Sequence, residues 1–222
     1  YKELYKSVLH NKYIPMTHSD CEIIIYLYKE FGAESCVKML DGVFSFILYD
    51  KVKDYIVISR DSIGVNPLYY GITDLGELMV SSEMKALNDD CKIIDTFPPG
   101  HLINIYIGED SDFYKYGFLN VDINNIINKY YYPMWDSDDY IISNNQEKQL
   151  MLNIKNSLTS AVKKRLMADV PFGVLLSGGL DSSLVASITN RLLKNKKTVW
   201  GNDLHTFSIG LKGAPDLKYA KI

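Results

Sequence analysis

The chain has 222 residues, 47% hydrophobic and 23% charged, which is enough apolar material to bury a core in one large domain or two small ones. A net charge of -3 gives no electrostatic reason to expect nucleic acid or an anionic membrane as partner, and no apolar stretch approaches the ~20 residues that span a bilayer. The four histidines are scattered without metal-ligand spacing. Cys21, Cys36 and Cys91, odd in number and lacking a Cys-x-x-Cys pair, fit reduced thiols in a cytoplasmic protein better than disulfides or zinc. Tyr1-Lys2-Glu3 shows neither methionine nor a signal-peptide pattern, and Lys218 to Ile222 stops within the opening of a helix, so the expectation is an internal fragment of a longer protein.

In chain order, Ser19-Asp-Cys-Glu22 reads as a capping box, with Ser19 accepting from the Glu22 N–H and the Glu22 side chain reaching back. Ile23, Ile24, Leu27, Tyr28 and Phe31 then form one helical stripe, with Gly32 as the stop. Short β-branched and aromatic runs follow at 43–49, 55–59, 68–70, 78–81 and 101–107, separated by turn signals at 50–54, 74–76 and 98–100. Their close spacing predicts antiparallel pairing. From Phe113 to Gln146 the pattern decays into an edge strand and then an interdomain linker.

Beyond it the rhythm changes to an amphipathic helix (146–167), a buried strand (172–176), a helix from Leu180 to near Lys194, a polar loop and a second strand (205–210). Alternating helix and strand predict a parallel sheet with crossover helices. The expected division is therefore residues 1–132, a linker at 133–145, and residues 146–222.

The chemistry concentrates between the strand and the helix, in Ser177-Gly-Gly-Leu-Asp-Ser-Ser183. A helix N-terminus offers unpaired N–H groups and about half a positive charge, an anion site at the carboxyl end of a strand. Gly178 and Gly179 let the backbone lie against a phosphate, and Ser177, Ser182 and Ser183 add hydroxyls. No lysine follows the glycines, so this is not the Gly-Lys-Ser/Thr ATPase loop. Asp181 would repel a phosphate unless a divalent cation sat between them, which argues for a magnesium nucleotide. The plainer alternative is a tight strand-to-helix turn in which Asp181 helps cap the helix.

In the first half, Ser59-Arg60-Asp61-Ser-Ile-Gly64-Val-Asn-Pro67-Leu-Tyr-Tyr-Gly71 and Ser81-Ser-Glu-Met-Lys-Ala-Leu87 each have a structural account: Arg60 and Asp61 pair to brace a turn, and Glu83 favours the start of its helix.

Taken in order, Leu40-Asp-Gly-Val-Phe-Ser-Phe-Ile-Leu-Tyr-Asp50, these two blocks and Phe97-Pro-Pro-Gly100 resemble the glutaminase domain of class II glutamine amidotransferases. The second half, through Asp169-Val-Pro-Phe-Gly-Val-Leu-Leu-Ser-Gly-Gly-Leu-Asp-Ser-Ser183, resembles the PP-loop of N-type ATP pyrophosphatases. Joined, and with Gly210-Leu-Lys-Gly-Ala-Pro-Asp-Leu217, they resemble the glutamine-hydrolysing asparagine synthetase family from about Thr17 to Lys218.

The resemblance implies an α+β N-terminal-nucleophile fold, with stacked antiparallel sheets, followed by the start of an α/β parallel-sheet synthetase domain. It implies conversion of aspartate, glutamine (or ammonia) and ATP to asparagine, glutamate, AMP and pyrophosphate through β-aspartyl-AMP. By the same token Ser177, Gly178, Gly179, Leu180, Asp181, Ser182 and Ser183 hold pyrophosphate, Asp181 contacts Mg2+, and Leu176 and Ile209 line the adenosine or serve as core residues. Asp20 pairs with the ammonium group of glutamine, or is a plain N1 aspartate favoured by the helix dipole.

Small molecules are the implied partners, and the family allows a homodimer. The family nucleophile is an N-terminal cysteine, whereas position 1 is Tyr1 and Cys21 sits in the capping box. The family's remaining glutamine-pocket segments and its second synthetase loop have no match, so the fragment alone is expected to be inactive. A β-lactam-synthetase-like ligase and a nucleotide-sensing pseudoenzyme are the alternatives.

Overall fold

The computed structural model describes residues 1–17, 19–119, 121–133, 135, 147–168, 170–194 and 204–221. The chain divides into two compact units, Tyr1–Asp138 and Asp139–Ile222. The linker expected at 133–145 lies almost wholly outside the described residues.

The first unit opens with helix α1 (Lys2–Ser7) and a longer helix, α2 (Glu22–Met39). Gly32 breaks α2 with φ +76° and ψ 176°, but the chain resumes helical geometry instead of stopping. The reason is packing on both sides of the break. Ile23 and Leu27 before it, with Cys36 after it, bury against Tyr5 and Leu9, while Ala33 and Val37 bury against the sheet.

Strands β1 (Ser45–Asp50), β2 (Tyr55–Arg60), β3 (Tyr69–Thr73), β4 (Leu78–Ser81), β5 (Cys91–Thr96), β6 (His101–Tyr106) and β7 (Ile127–Lys129) form two antiparallel sheets, ordered β1-β2-β6-β7 and β4-β3-β5. Side chains alternate across a strand. In β2 and β6, Ile58, Ile103 and Ile105 therefore face Leu68, Tyr70, Ile72 and Phe97, giving the core between the sheets. Val57 and Leu102 face the other way, onto Ala33 and Val37 of α2. The unit is layered as helix, sheet, sheet. The turn signals act as expected: Asp50 accepts from the Val52 and Lys53 amides at 3.0 and 3.1 Å, and Thr73 Oγ1 accepts from Glu77 N at 3.1 Å with Gly76 at φ +82°.

The second unit contains α4 (Glu147–Arg165), β8 (Gly173–Leu175), α5 (Leu180–Lys194), β9 (His205–Phe207) and α6 (Pro215–Ala220); a short α3 (Asp112–Tyr116) belongs to the first. β8 and β9 pair in parallel, with Gly173 opposite His205 and Leu175 opposite Phe207. The strand at 172–176 is not buried: Leu175 is 80% exposed and Phe207 60%. Two short strands cannot cover each other's faces, and parallel strands need layers on both. The apolar stripe of α4 is likewise buried only at its end, at Val162, while Ile154 stays exposed.

Candidate functional site

The loop at residues 177–183 is built by the ends of the parallel strands. Leu176 N–H donates to Phe207 O at 2.8 Å, and Ser208 Oγ donates to Leu176 O at 2.6 Å, so the two strand ends are clamped side by side. The chain then turns through Gly178 at φ +87°, and α5 begins at Leu180.

The two glycines play different parts. A Cβ at Gly178 would lie 2.4 Å from Asp216 O and 3.0 Å from Ala220 N, so the backbone of α6 itself excludes a side chain there. A Cβ at Gly179 would meet only Ser177 Oγ at 3.5 Å, an ordinary contact. The protein's own packing does not need Gly179; its bareness leaves backbone open to a ligand.

The hydroxyls converge on the same turn. Ser177 Oγ and Ser182 Oγ are 2.9 Å apart, and Gly179 N–H donates to Ser177 Oγ at 3.4 Å. Ser182 Oγ and Ser183 Oγ both donate to Gly179 O, at 3.2 and 2.7 Å, which ties the loop to the first turn of α5. Asp181 is exposed on that turn. Among the described residues no group of three or more His, Cys, Asp or Glu could hold a metal ion. A magnesium ion held by one carboxylate and the phosphates of its nucleotide needs no such group, so the residues present fit it. Leu176 is half-buried at its strand end, whereas Ile209 is 100% exposed, two residues past β9. No described residue covers Ile209.

The second site lies at the start of α2, where the capping box is not formed as expected. The helix begins at Glu22, its N-cap is Cys21 and no side chain caps it; Ser19 Oγ accepts instead from Cys21 N at 3.2 Å. Asp20 therefore precedes the helix rather than occupying its first position, and its carboxylate is exposed, 3.8 Å from Cys21 Sγ. Glu22 reaches past the N-cap to Met16 N and Thr17 N, both at 2.7 Å.

Arg60 and Asp61 both brace the turn, though not by pairing with each other. The guanidinium donates to the carbonyls of Asn66 (2.7 Å), Phe97 (2.7 Å) and Gly64 (2.9 Å). The carboxylate accepts from the amides of Val65 (3.0 Å), Asn66 (3.1 Å), Ile63 (3.3 Å) and Phe44 (3.4 Å). Burial raises the pKa of Asp61, but these amides outweigh it and hold the group below the usual carboxylate range. Glu83 is the N-cap of a single 3-10 turn, Met84–Ala86, with its carboxylate on Lys85 at 2.6 Å.

The chain is a two-sheet antiparallel unit followed in sequence by a unit with a strand, a glycine loop and a helix. Residues 1–114 match the glutamine amidotransferase domain model and residues 153–222 the asparagine synthase model. The chain belongs to the glutamine amidotransferase family, and within it the amidotransferase match precedes the asparagine synthase match.

Among curated relatives, the asparagine synthetase [glutamine-hydrolyzing] of Sandersonia aurantiaca is 48% identical over 207 residues, 92% of this chain and 35% of the relative. Asparagine synthetase [glutamine-hydrolyzing] 1 of Arabidopsis thaliana is 46% identical over 223 residues, 100% of this chain and 34% of the relative. The chain thus spans about a third of the length of the curated relatives it matches. Two solved structures are also similar. Glutamine phosphoribosylpyrophosphate amidotransferase from B. subtilis has TM-score 0.41 and 23% identity, over 47% of this chain and 24% of that one. An allosteric regulatory enzyme of purine biosynthesis has TM-score 0.44 and 17% identity, over 91% and 42%. No helix among the described residues is long and apolar enough to cross a membrane.

Proposed function

We propose that the protein to which this chain belongs is an ATP-dependent ligase that makes asparagine from aspartate, taking its nitrogen from glutamine. The carrying observation is the succession, in one chain, of an amidotransferase domain match and a Ser-Gly-Gly-Leu-Asp-Ser-Ser loop clamped at the carboxyl ends of parallel strands.

On this reading the aspartate side-chain carboxylate attacks the α-phosphorus of ATP. The bond from that phosphorus to the bridging oxygen breaks, and pyrophosphate leaves with the electron pair. Negative charge therefore grows on the β-phosphate as the bond opens. The open backbone at Gly179 and the first-turn amides of α5 would be the donors that meet it, and the hydroxyls of Ser177 and Ser182 would join them by turning away from their partners within the loop. Asp181 would hold magnesium, which neutralises phosphate charge during the displacement. Leu180 and Ser183 complete the first turn, while Leu176 and Ile209 at the strand ends supply apolar surface for adenosine. Ammonia then attacks the acyl carbon of β-aspartyl-AMP and AMP departs. At the other site, Asp20 pairs with the ammonium group of glutamine. A cytoplasmic location and a homodimer accompany this proposal.

The test is a product assay on the full-length protein with ATP, magnesium and aspartate, supplying either ammonium or glutamine. AMP and asparagine from both sources are expected. Product from ammonium alone would retain the ligase and discard the glutaminase half. Absence of AMP with either source would sink the assignment, and a screen of other carboxylates for pyrophosphate release would then decide for a ligase of the β-lactam-synthetase kind.

A further inference from the structure

The geometry points to Glu22 as a positioning residue for the glutamine substrate: its carboxylate fixes the segment that carries Asp20, and so sets where Asp20 meets the substrate ammonium. This rests on the reading of Asp20 as the glutamine ligand.

Glu22 is 9% exposed, and both of its oxygens are occupied twice. Oε1 accepts from Met16 N at 2.7 Å and from Tyr26 Oη at 2.8 Å; Oε2 accepts from Thr17 N at 2.7 Å and from Thr17 Oγ1 at 2.6 Å. The bonds continue toward Asp20. Thr17 Oγ1 accepts from Ser19 N at 3.2 Å, and Ser19 Oγ accepts from Cys21 N at 3.2 Å. The residues on either side of Asp20 are thus tied into one chain of bonds that ends on Glu22.

A glutamate serving only the helix start would bond to the N-cap amide. This one bonds five and six residues upstream. Its third support is rigid: the Tyr26 ring stacks on Tyr13 with centroids 4.4 Å apart and meets Tyr5 edge-on at 5.9 Å. The Met16 amide foremost, with the Thr17 hydroxyl, holds the Glu22 carboxyl down to about 2, so the anchor is ionised at neutral pH.

Glutamine carries its positive charge on a small ammonium group, and a displacement of Asp20 by ~1 Å costs such an ion pair its geometry. Misplacements of that size reduce rates by up to roughly 100-fold. Glu22→Gln keeps the volume but turns one acceptor oxygen into an NH2 donor facing N–H and O–H donors. In the full-length enzyme, Glu22→Gln is expected to raise KM for glutamine by roughly 10-fold or more while kcat at saturating glutamine changes less. Ammonium-dependent asparagine formation serves as the measure of an intact synthetase half.

The deciding experiment is a double-mutant cycle on glutamine KM with Asp20→Asn. If Glu22 acts through Asp20, the double variant is no worse than Asp20→Asn alone. An equal further loss on the Asp20→Asn background, or an unchanged KM in Glu22→Gln, would overturn the proposal. An unchanged KM in Asp20→Asn would instead remove the ligand reading of Asp20, and the positioning role with it. Should Glu22→Gln fail to fold, Thr17→Val decides, because it deletes only the hydroxyl link. A several-fold rise in KM is expected there, and no rise would overturn the proposal.

Discussion

If the loop at residues 177–183 holds the nucleotide as proposed, its two glycines separate stability from binding, and the separation can be measured. Gly178 stands at φ +87°, where an L-residue pays roughly 1–2 kcal/mol. Its added Cβ would lie 2.4 Å from Asp216 O and 3.0 Å from Ala220 N. Both are backbone atoms of the α6 region, so no rotamer change relieves the contact, and such overpacking adds roughly 1–3 kcal/mol. Gly178→Ala should therefore destabilise the synthetase half by about 2–5 kcal/mol, a large share of the ~5–15 kcal/mol that holds a domain together. Gly179→Ala meets nothing closer than 3.5 Å and needs no left-handed backbone. It should leave stability within about 0.5 kcal/mol but raise KM for ATP at least about tenfold, because the new methyl would stand where the proposed function brings the phosphate. Urea unfolding and ATP–pyrophosphate exchange on the full-length protein read the two effects independently. Equal unfolding midpoints for Gly178→Ala and wild type would refute the steric argument, and unchanged exchange in Gly179→Ala would refute the phosphate approach.

Asp181→Ala should abolish ATP–pyrophosphate exchange, since losing one charge-assisted contact at such a centre costs several kcal/mol of transition-state stabilisation; retained exchange would remove Asp181 as the magnesium contact. Arg60→Met should destabilise the first unit by about 3 kcal/mol or more, because three inward carbonyls lose their donors at once, as chemical denaturation would register. Gly64→Ala should act at the same turn, with its Cβ 2.7 Å from Pro99 Cγ and 2.9 Å from Arg60 Cζ at φ +68°, and cost about 2–4 kcal/mol by the same assay. Glu22 has its folded-state pKa depressed from 4.5 to about 2 by the Met16 amide and the Thr17 hydroxyl. Its contribution to stability is therefore present above pH 4.5 and is lost as pH falls through 2, and Glu22→Gln should flatten the acid limb of the stability profile in that window.

Much of the first unit was legible because its strands are bounded by turn chemistry that works locally. Asp50 and Thr73 close their turns with their own side chains, and a sequence displays such residues directly. Strand β5 was not legible: Cys-Lys-Ile-Ile-Asp-Thr does not alternate cleanly, and it is an edge strand whose Ile93 stays 57% exposed. Gly32 reads as a stop because glycine at a helix end usually is one. The helix resumes because Ala33 and Val37 find the face of the sheet that Val57 and Leu102 present, a fact about distant strands. The Arg60–Asp61 dipeptide suggests a turn braced by its own pairing, but each side chain braces the turn through backbone groups instead. Charge complementarity between neighbours is visible in a sequence, whereas carbonyls at Asn66 and Phe97 awaiting donors are not.

The nucleotide loop marks a different boundary between pattern and structure. The motif identified the strand, turn and helix but treated its two glycines as equivalent, since both lack a side chain. Only the return of the chain through Pro215–Ala220 distinguishes them, by filling the space at Gly178 and leaving that at Gly179. The expected burial of the strand fails for a related reason. Apolar runs report the kind of sheet a strand is suited to, and burial depends on neighbours. Leu175 is 80% exposed and Ile209 100% exposed, so no described residue covers them. The backbone clamp from Leu176 to Phe207 and Ser208 nonetheless holds the loop's entry in place, because hydrogen bonds between paired strand ends need no layer above them. The loop's geometry is therefore set by this strand-end clamp and by the packing of α6 at Gly178, both of which act without burial of the strand faces.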